Sequence, residues 1–113
     1  MPNHAETLRR YFDAINARDL TTANSLVADD CVIHSGGRTV AYHDAIQAEQ
    51  EGWKTAPNRK CQIEDVVIEG DKVAARWRSL EQGDSVTSES LSIYRLEDGK
   101  LVEAWHATAP IAS

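Results

Sequence analysis

Residues 88–105 read SESLSIYRLEDGKLVEAW, and this stretch decides the fold of the chain. Asp98-Gly99 separates two runs of β-prone residues, and an Asp-Gly pair in that position is the strongest short-range signal for a β-hairpin. The sequence therefore predicts two long antiparallel strands, Val86–Leu96 and Lys100–Thr108. Successive side chains of a strand alternate between its two faces, so the orientation of these strands decides which residues line any internal site.

The rest of the chain divides into a helical first half and a strand-rich second half. Asn3 and Glu6 form a helix-start pair, and apolar residues then recur at helical spacing to about Ala17. Asp19 can cap a second, short helix. The other predicted elements are a strand at 31–35 after a turn at Asp29-Asp30, a strand at 38–42, a helix at 43–54, and strands at 60–69 and 72–82 joined by Gly70-Asp71 and followed by a Gly83-Asp84 turn. Helices segregated from antiparallel strands indicate one α+β domain over residues 1–113.

Composition limits the classes of partner. The 113 residues include 12 Lys and Arg against 18 Asp and Glu, a net charge of −6 with a pI near 5.1. This charge argues against nucleic acid, whose binding depends on neutralising phosphates, and against anionic membrane surfaces. Apolar runs are at most three residues long, so neither a membrane span nor a signal-peptide core is expected. We therefore expect a cytoplasmic protein.

The cysteines and histidines show no metal or redox motif. Cys31 and Cys61 lie far apart without a CxxC spacing, and we expect packing residues or inert thiols rather than a disulfide. The four histidines lack metal-ligand spacing, although a pairing of His34 with His106 stays open. Neither a metal nor another cofactor is expected.

Segments along nearly the whole chain resemble the SnoaL-like polyketide cyclase group of the nuclear transport factor two-like, ketosteroid-isomerase-like superfamily. They are LRRYFDAINARD at 8–19, ADD at 28–30, EDVVIEGDKV at 64–73 and SIYRLEDGKLVEAW at 92–105. The resemblance implies a cone-shaped, curved antiparallel sheet wrapped around three helices from the N-terminal half, with a pocket at its open end. Members include isomerases, cyclases, dehydratases, epoxide hydrolases and non-catalytic binders, so the fold alone does not select a reaction.

The acids that such proteins use are largely replaced in this chain. Tyr11 stands where steroid isomerases of this fold keep an oxyanion-hole tyrosine. Ser35 stands at the position of their general base, and Ser92 at that of their protonated acid. The Arg and two Asp positions of the epoxide hydrolases are taken by Trp77, Ser79 and Ala107. Neither mechanism is expected here, since proton abstraction needs a group of suitable pKa.

The predicted strand Val86–Leu96 is rich in serine, and two arguments give it opposite orientations. By pattern alone, serines that alternate with Leu91 and Ile93 face water and the aliphatic residues face the core. The resemblance implies the reverse, with indoles and serine hydroxyls lining a pocket for a small, largely apolar molecule. The alternative for the tryptophans is that they are plain core residues, as large aromatics usually are. The predicted ligand-binding residues are Tyr11, Ser35, Trp53, Trp77, Ser79, Ser90, Ser92 and Trp105.

Glu103 is the preferred acid/base candidate. The resemblance places Trp105 on the inward face, and alternation puts Glu103 on the same face, where burial would raise the pKa of its carboxyl towards a catalytic range. The structural alternative is an ion pair with Arg9 or Arg10. His34 and His106 fall on the outward side of their strands, where solvent or an interface is expected.

Two functions and one assembly follow as hypotheses. The first is a cofactor-free isomerase, cyclase or related lyase or hydrolase acting on a small apolar carbonyl compound, in which Tyr11 polarises the oxygen and Glu103 or a histidine moves the proton. The second is a non-catalytic ligand-binding or accessory domain that has lost the carboxylates of its relatives. A homodimer through the convex face of the sheet would cover the outward residues Arg76, Arg78, Leu91 and Ile93.

Overall fold

The computed structural model describes residues 3–81 and 85–111, and its helices match the sequence signals. Helix α1 spans His4–Asn16, α2 spans Leu20–Ser25 and α3 spans Tyr42–Thr55. The Asn3 side chain accepts a hydrogen bond of 2.8 Å from the Glu6 amide, and Asp19 accepts one of 3.1 Å from Thr22. Both predicted N-caps are therefore confirmed, since each carboxamide or carboxylate oxygen satisfies an amide that the helix leaves free.

Six strands form one curved, mixed sheet, which confirms the α+β class. Its spatial order is β2-β1-β6-β5-β4-β3. The strands are β1 Val27–Ser35, β2 Arg38–Ala41, β3 Lys60–Glu69, β4 Lys72–Glu81, β5 Ser85–Glu97 and β6 Lys100–Pro110. The predicted Gly83-Asp84 turn and the predicted strand end at residue 82 lie outside the described residues.

Two details of the sheet differ from the prediction. It is not wholly antiparallel, because β1 runs parallel to β6 while the other neighbours are antiparallel. The chain between β1 and β6 includes four further strands and α3, which is long enough to allow a parallel pairing, and no local pattern predicts it. Asp29 and Asp30 belong to β1 rather than to a turn, at an irregularity between Val27 and Val32.

The alternation of β5 follows the family resemblance and not the simple pattern. Ser90 and Ser92 are 1% and 3% exposed, whereas Leu91 and Ile93 are 63% and 44% exposed. The serines therefore face the helices and the aliphatic residues face outward. Asp98 and Gly99 both have positive φ, 51° and 74°, as the predicted tight turn into β6 requires.

The orientation of β6 was predicted wrongly after its first residues. Leu96 pairs with Leu101, but Arg95 pairs with Glu103, so one strand carries an additional residue at Val102. Such a β-bulge reverses the faces of all residues beyond it. Ala104 and His106 consequently face the helices with Tyr94 and Ser92, their partners on β5.

The main core lies between α1 and the inner face of the sheet. Its members include the fully buried Leu8, Val73 and Leu96, with Phe12 and Tyr94 beside them. A second cluster of Ala14, Ile15, Ala23 and Ile46 joins α1, α2 and α3. No helix in residues 3–81 or 85–111 is both long and apolar enough to cross a membrane.

Candidate functional site

A cavity of about 390 Å³ lies between the inner face of the sheet and helices α1 and α3. Its wall is predominantly apolar, with polar groups at a few places, which is the usual make-up of a small-molecule site. The lining residues used below are Tyr11, Ser35, Tyr42, Glu49, Trp77, Tyr94, His106 and Thr108; the aliphatic wall includes Ile15, Val27, Ile33, Val40 and Ile46.

His106 is the end of a hydrogen-bonded chain on the sheet side of the cavity. The Trp77 Nε1–H donates to Ser92 Oγ over 2.9 Å, and Ser92 Oγ lies 2.6 Å from His106 Nδ1. The imidazole meets the rings of Tyr94 and Trp77 edge-on, with centroids 5.6 and 6.3 Å away. Among the described residues no group bonds the other ring nitrogen, Nε2, which leaves that atom available to a ligand.

Burial sets the charge of this cluster. It lowers the pKa of His106 below its ordinary value of 6.5, because desolvation penalises the imidazolium. Burial also raises the pKa of Tyr94, so that phenol keeps its proton. At neutral pH the sheet side of the cavity is therefore uncharged but rich in hydrogen-bonding groups.

Two tyrosines form the polar group on the helix side. Tyr11 OH donates to Tyr42 OH over 3.3 Å, and Tyr42 OH donates to Asn24 Oδ1 over 3.0 Å. Desolvation is the main cause that raises the pKa of Tyr11 well above 10, so Tyr11 stays a neutral donor. Its bond to Tyr42 is long for a hydroxyl pair, so an oxygen of a ligand can replace that partner at little cost.

Of the four predicted serines, one lines the cavity and the other three do not. Ser35 lines the cavity on β1, next to His106 in the register of the sheet. Ser92 and Ser90 are buried, and they bond His106 and Thr108 respectively. Ser79 does not line this cavity; its side chain lies near the Cys61 thiol.

Of the three predicted indoles, only Trp77 lines the cavity. Trp53 lies outside the lining, where Arg18 covers its ring at 4.2 Å and its Nε1–H donates to Glu49. Trp105 lies on the outer face, with its ring 5.3 Å from the His34 ring in a stacked arrangement. The inward orientation predicted for Trp105 is wrong, because the Val102 bulge turns it outward.

The predicted environment of Glu103 is also wrong. Its carboxylate lies on the outer face, 2.6 Å from His34 Nε2 and 3.2 Å from Arg95. The hydrogen bond from His34, with help from Arg95, lowers the pKa of Glu103. Glu103 lies on the opposite side of the sheet from the cavity. The structure therefore shows neither the predicted rise of its pKa by burial nor the alternative pairing with Arg9 or Arg10.

The predicted site omits several lining residues, among them His106 on β6 and two residues on α3. His106 was placed outward because the bulge has no sequence signature of its own. Tyr42 and Glu49, seven residues apart on α3, repeat at helical spacing and were open to detection by that periodicity. Of the described residues that line the cavity, only Glu49 carries a carboxylate, and it lies 3.7 Å from Arg59.

The two thiols and a second concavity are weaker candidates for a functional site than the 390 Å³ cavity. Both cysteines are free, and burial raises the pKa of each to about 11. A larger concavity of about 630 Å³ lies between α1 and β3, but its wall is mainly polar and contains none of the hydrogen-bonded groups described above. Residues 3–81 and 85–111 contain no cluster of three or more metal-ligating side chains.

A family model for the SnoaL-like domain matches residues 8–104. This chain belongs to the SnoaL-like family. No curated protein matched the sequence. The family assignment confirms the predicted resemblance. Both Ser35 and Ser92 lie on the inner face of the sheet.

Solved structures with the SnoaL-like architecture support the same fold. IdmH from Streptomyces antibioticus, for which polyketide cyclase activity is proposed, is 23% identical, with 92% of this chain and 90% of that chain covered and a TM-score of 0.83. A Bacillus cereus protein with the same proposed activity is 26% identical, with 91% and 72% covered and a TM-score of 0.77. AclR from Streptomyces galilaeus, described as a proposed hydroxylase, is 21% identical, with 91% and 86% covered and a TM-score of 0.77.

Proposed function

We propose that this SnoaL-like protein catalyses acid–base chemistry, an isomerisation or a ring closure, on a small apolar carbonyl compound bound in the 390 Å³ cavity. The observation that carries the proposal is a neutral histidine, His106, held by Ser92 in the wall of an otherwise apolar cavity. Such a group offers hydrogen bonding within a mainly apolar wall, where electrostatic stabilisation of a developing charge is stronger than in water.

His106 and Tyr11 act on the carbonyl oxygen in this proposal. Both line the cavity and both are uncharged at neutral pH. Hydrogen bonds from these two residues stabilise the negative charge that collects on the oxygen as an enolate forms. Tyr11 thus has the role that the sequence analysis predicted for it, and His106 shares that role.

Glu49 is the group that removes the proton from carbon. Its carboxylate takes the hydrogen adjacent to the carbonyl, the electron pair of the C–H bond moves to the carbonyl oxygen, and the proton later returns to carbon. One carboxylate oxygen of Glu49 accepts from Trp53 over 3.1 Å, which fixes the side chain in the cavity wall.

Hydrogen exchange in deuterated water tests this proposal without knowledge of the natural substrate. The probes are α-tetralone and indanone, two small apolar ketones, and NMR follows the loss of the hydrogens next to the carbonyl. We expect exchange above the buffer rate, reduced about a hundredfold or more in Glu49→Gln and in His106→Gln, and about a hundredfold in Tyr11→Phe.

Matched controls separate the site from general damage. Glu51→Gln changes an exposed carboxylate of the same helix, and His43→Gln changes an exposed imidazole; both should exchange at the wild-type rate. Binding of the ketones without exchange would contradict the catalytic proposal. It would favour the alternative of a ligand-binding domain, which is motivated by Ser35 and Ser92 at the positions where the resemblance implies acids in the steroid isomerases.

We also propose that the outer face of the sheet forms a homodimer. An apolar row crosses four strands through Val67, Ala74, Ile93 and Trp105, which are consecutive partners in the register. Charged pairs flank it, among them Arg76 with Asp65 at 2.6 Å and Arg78 with Glu89 at 3.7 Å. An apolar centre with a charged rim is typical of a protein interface.

A further inference from the structure

The chain from Trp77 through Ser92 to His106 runs across three neighbouring strands. Trp77 lies on β4, Ser92 on β5 and His106 on β6, and the register places Ser92 directly opposite His106. Ser92 is 3% exposed, so its hydroxyl depends on protein partners. The direction of each hydrogen bond in this chain decides which chemical group His106 presents to the cavity.

The indole fixes the first direction. An indole nitrogen can only donate, so Ser92 Oγ accepts the 2.9 Å bond from Trp77. The serine proton then needs an acceptor of its own, and His106 Nδ1 lies 2.6 Å away. If Nδ1 carried the hydrogen instead, the buried Ser92 proton would lose its 2.6 Å acceptor and would have only the neighbouring Tyr94 hydroxyl to turn to, so this tautomer is less stable.

Ser92 is not itself placed to act as a nucleophile. A serine close to a histidine is the usual pattern of an activated nucleophile. Ser92, however, does not belong to the described lining of the cavity, and the Trp77 N–H already bonds its oxygen. In this pair, therefore, the histidine does not activate the serine; the serine orients the histidine.

We propose that Ser92, oriented by Trp77, is a positioning residue that holds neutral His106 as the tautomer with hydrogen on Nε2. The cavity then presents an N–H donor, and it selects ligands with an acceptor oxygen, such as a carbonyl, over ligands that offer only donors at that point, such as an ammonium group. The catalytic meaning of this arrangement rests on the proposed function, but the tautomer does not.

NMR of the imidazole nitrogens tests the proposal without a substrate. Protein labelled with ¹⁵N histidine is studied at neutral pH by long-range ¹H–¹⁵N correlation, and His106 is identified as the signal lost in His106→Gln. We expect the wild type to show a protonated Nε2 and an unprotonated Nδ1. In Ser92→Ala both nitrogen shifts should move towards the averaged values of exchanging tautomers, and Trp77→Phe should cause a smaller movement in the same direction.

Conservative changes provide the controls. Ser92→Thr keeps the hydroxyl and should keep the wild-type tautomer, whereas Ser85→Ala alters an exposed serine of the same strand and should change nothing. A wild-type His106 protonated at Nδ1 would overturn the proposal, and this holds even if Ser92→Ala does not fold. Unchanged nitrogen shifts in a folded Ser92→Ala would overturn it as well.

The two proposals fail separately. The expected tautomer without exchange of the ketone hydrogens would remove the proposed reaction and leave the positioning role of Ser92 intact. Exchange that persists while His106 is protonated at Nδ1 would support catalysis and refute the positioning role.

Discussion

His106 links the interior of this protein to solution pH. Burial keeps the folded-state pKa of His106 below its ordinary value of 6.5, whereas the unfolded chain titrates near that value. As the pH falls through this range the unfolded state binds the proton first, so stability decreases. Above the ordinary value both states are neutral and His106 adds no pH dependence.

We therefore expect His106→Gln to have a flatter stability profile than the wild type. Lowering the solution from about pH 7.5 to about pH 5.5 should reduce the wild-type Tm more than the Tm of the variant. Thermal unfolding followed by circular dichroism measures both profiles. His43→Gln, at a side chain 78% exposed, is the control and should follow the wild type. Parallel profiles for His106→Gln and the wild type would contradict a buried, neutral His106.

Glu103→Gln provides a second prediction for a single residue. The change removes the charge that bonds His34 and Arg95 on the outer face, so we expect a lower Tm at neutral pH and unchanged ketone exchange. Because those partners lower the pKa of Glu103, its contribution is complete at neutral pH and is lost as the pH falls through that lowered pKa. Glu97→Gln, 60% exposed and bonded to Arg95, is the matched control and should change the Tm less. Exchange abolished by Glu103→Gln would restore Glu103 as the catalytic group.

At the scale of elements, Asn16 joins the end of α1 to β3. Its side chain donates to the Cys61 carbonyl over 2.8 Å and accepts from the Cys61 amide over 2.9 Å. The residue thus satisfies both backbone groups of one position on a strand at the edge of the sheet. Since α1 carries Tyr11 and Cys61 belongs to the lining, this attachment also holds two walls of the cavity together.

Asn16→Ala should lower the free energy of unfolding by about 1–3 kcal/mol, because two backbone groups lose their partner. Urea unfolding provides the measurement. The control is Asn58→Ala in the exposed loop before β3, for which a change within about 0.5 kcal/mol is expected. Equal effects of the two substitutions would show that the contacts of Asn16 do not stabilise the fold.

At the scale of the whole molecule, the outer face of the sheet predicts self-association. Leu91 and Ile93 are exposed beside Trp105 in the isolated chain, and burying such apolar surface favours a second copy. Light scattering coupled to size-exclusion chromatography should report a dimer. Ile93→Glu should give a monomer that keeps its circular dichroism spectrum.

The control for this prediction is Ile68→Glu. Ile68 is as exposed as Ile93, at 44%. It pairs with the buried Val73, however, and so lies on the inner face of the sheet. This variant should remain dimeric. A wild type that is monomeric at high micromolar concentration would refute the assembly.

The sequence by itself determined the elements and the family. Local signals sufficed for the caps at Asn3 and Asp19 and for the Asp98-Gly99 turn, because each depends on side chains within a few residues. The inward orientation of Ser90 and Ser92 came from the family resemblance, since alternation alone cannot show which face a second layer covers.

Only the tertiary structure decided the composition of the site. The extra residue at Val102 becomes visible only through its pairing with β5, and it exchanges Glu103 and Trp105 for His106 on the inner face. The bonds from Trp77 to Ser92 and from Ser92 to His106 join residues 15 and 14 positions apart, respectively. The sequence shows which residue types the hairpin contains. Which of them meet across the sheet depends on the register between strands, and register is a property of strand pairing rather than of any one segment.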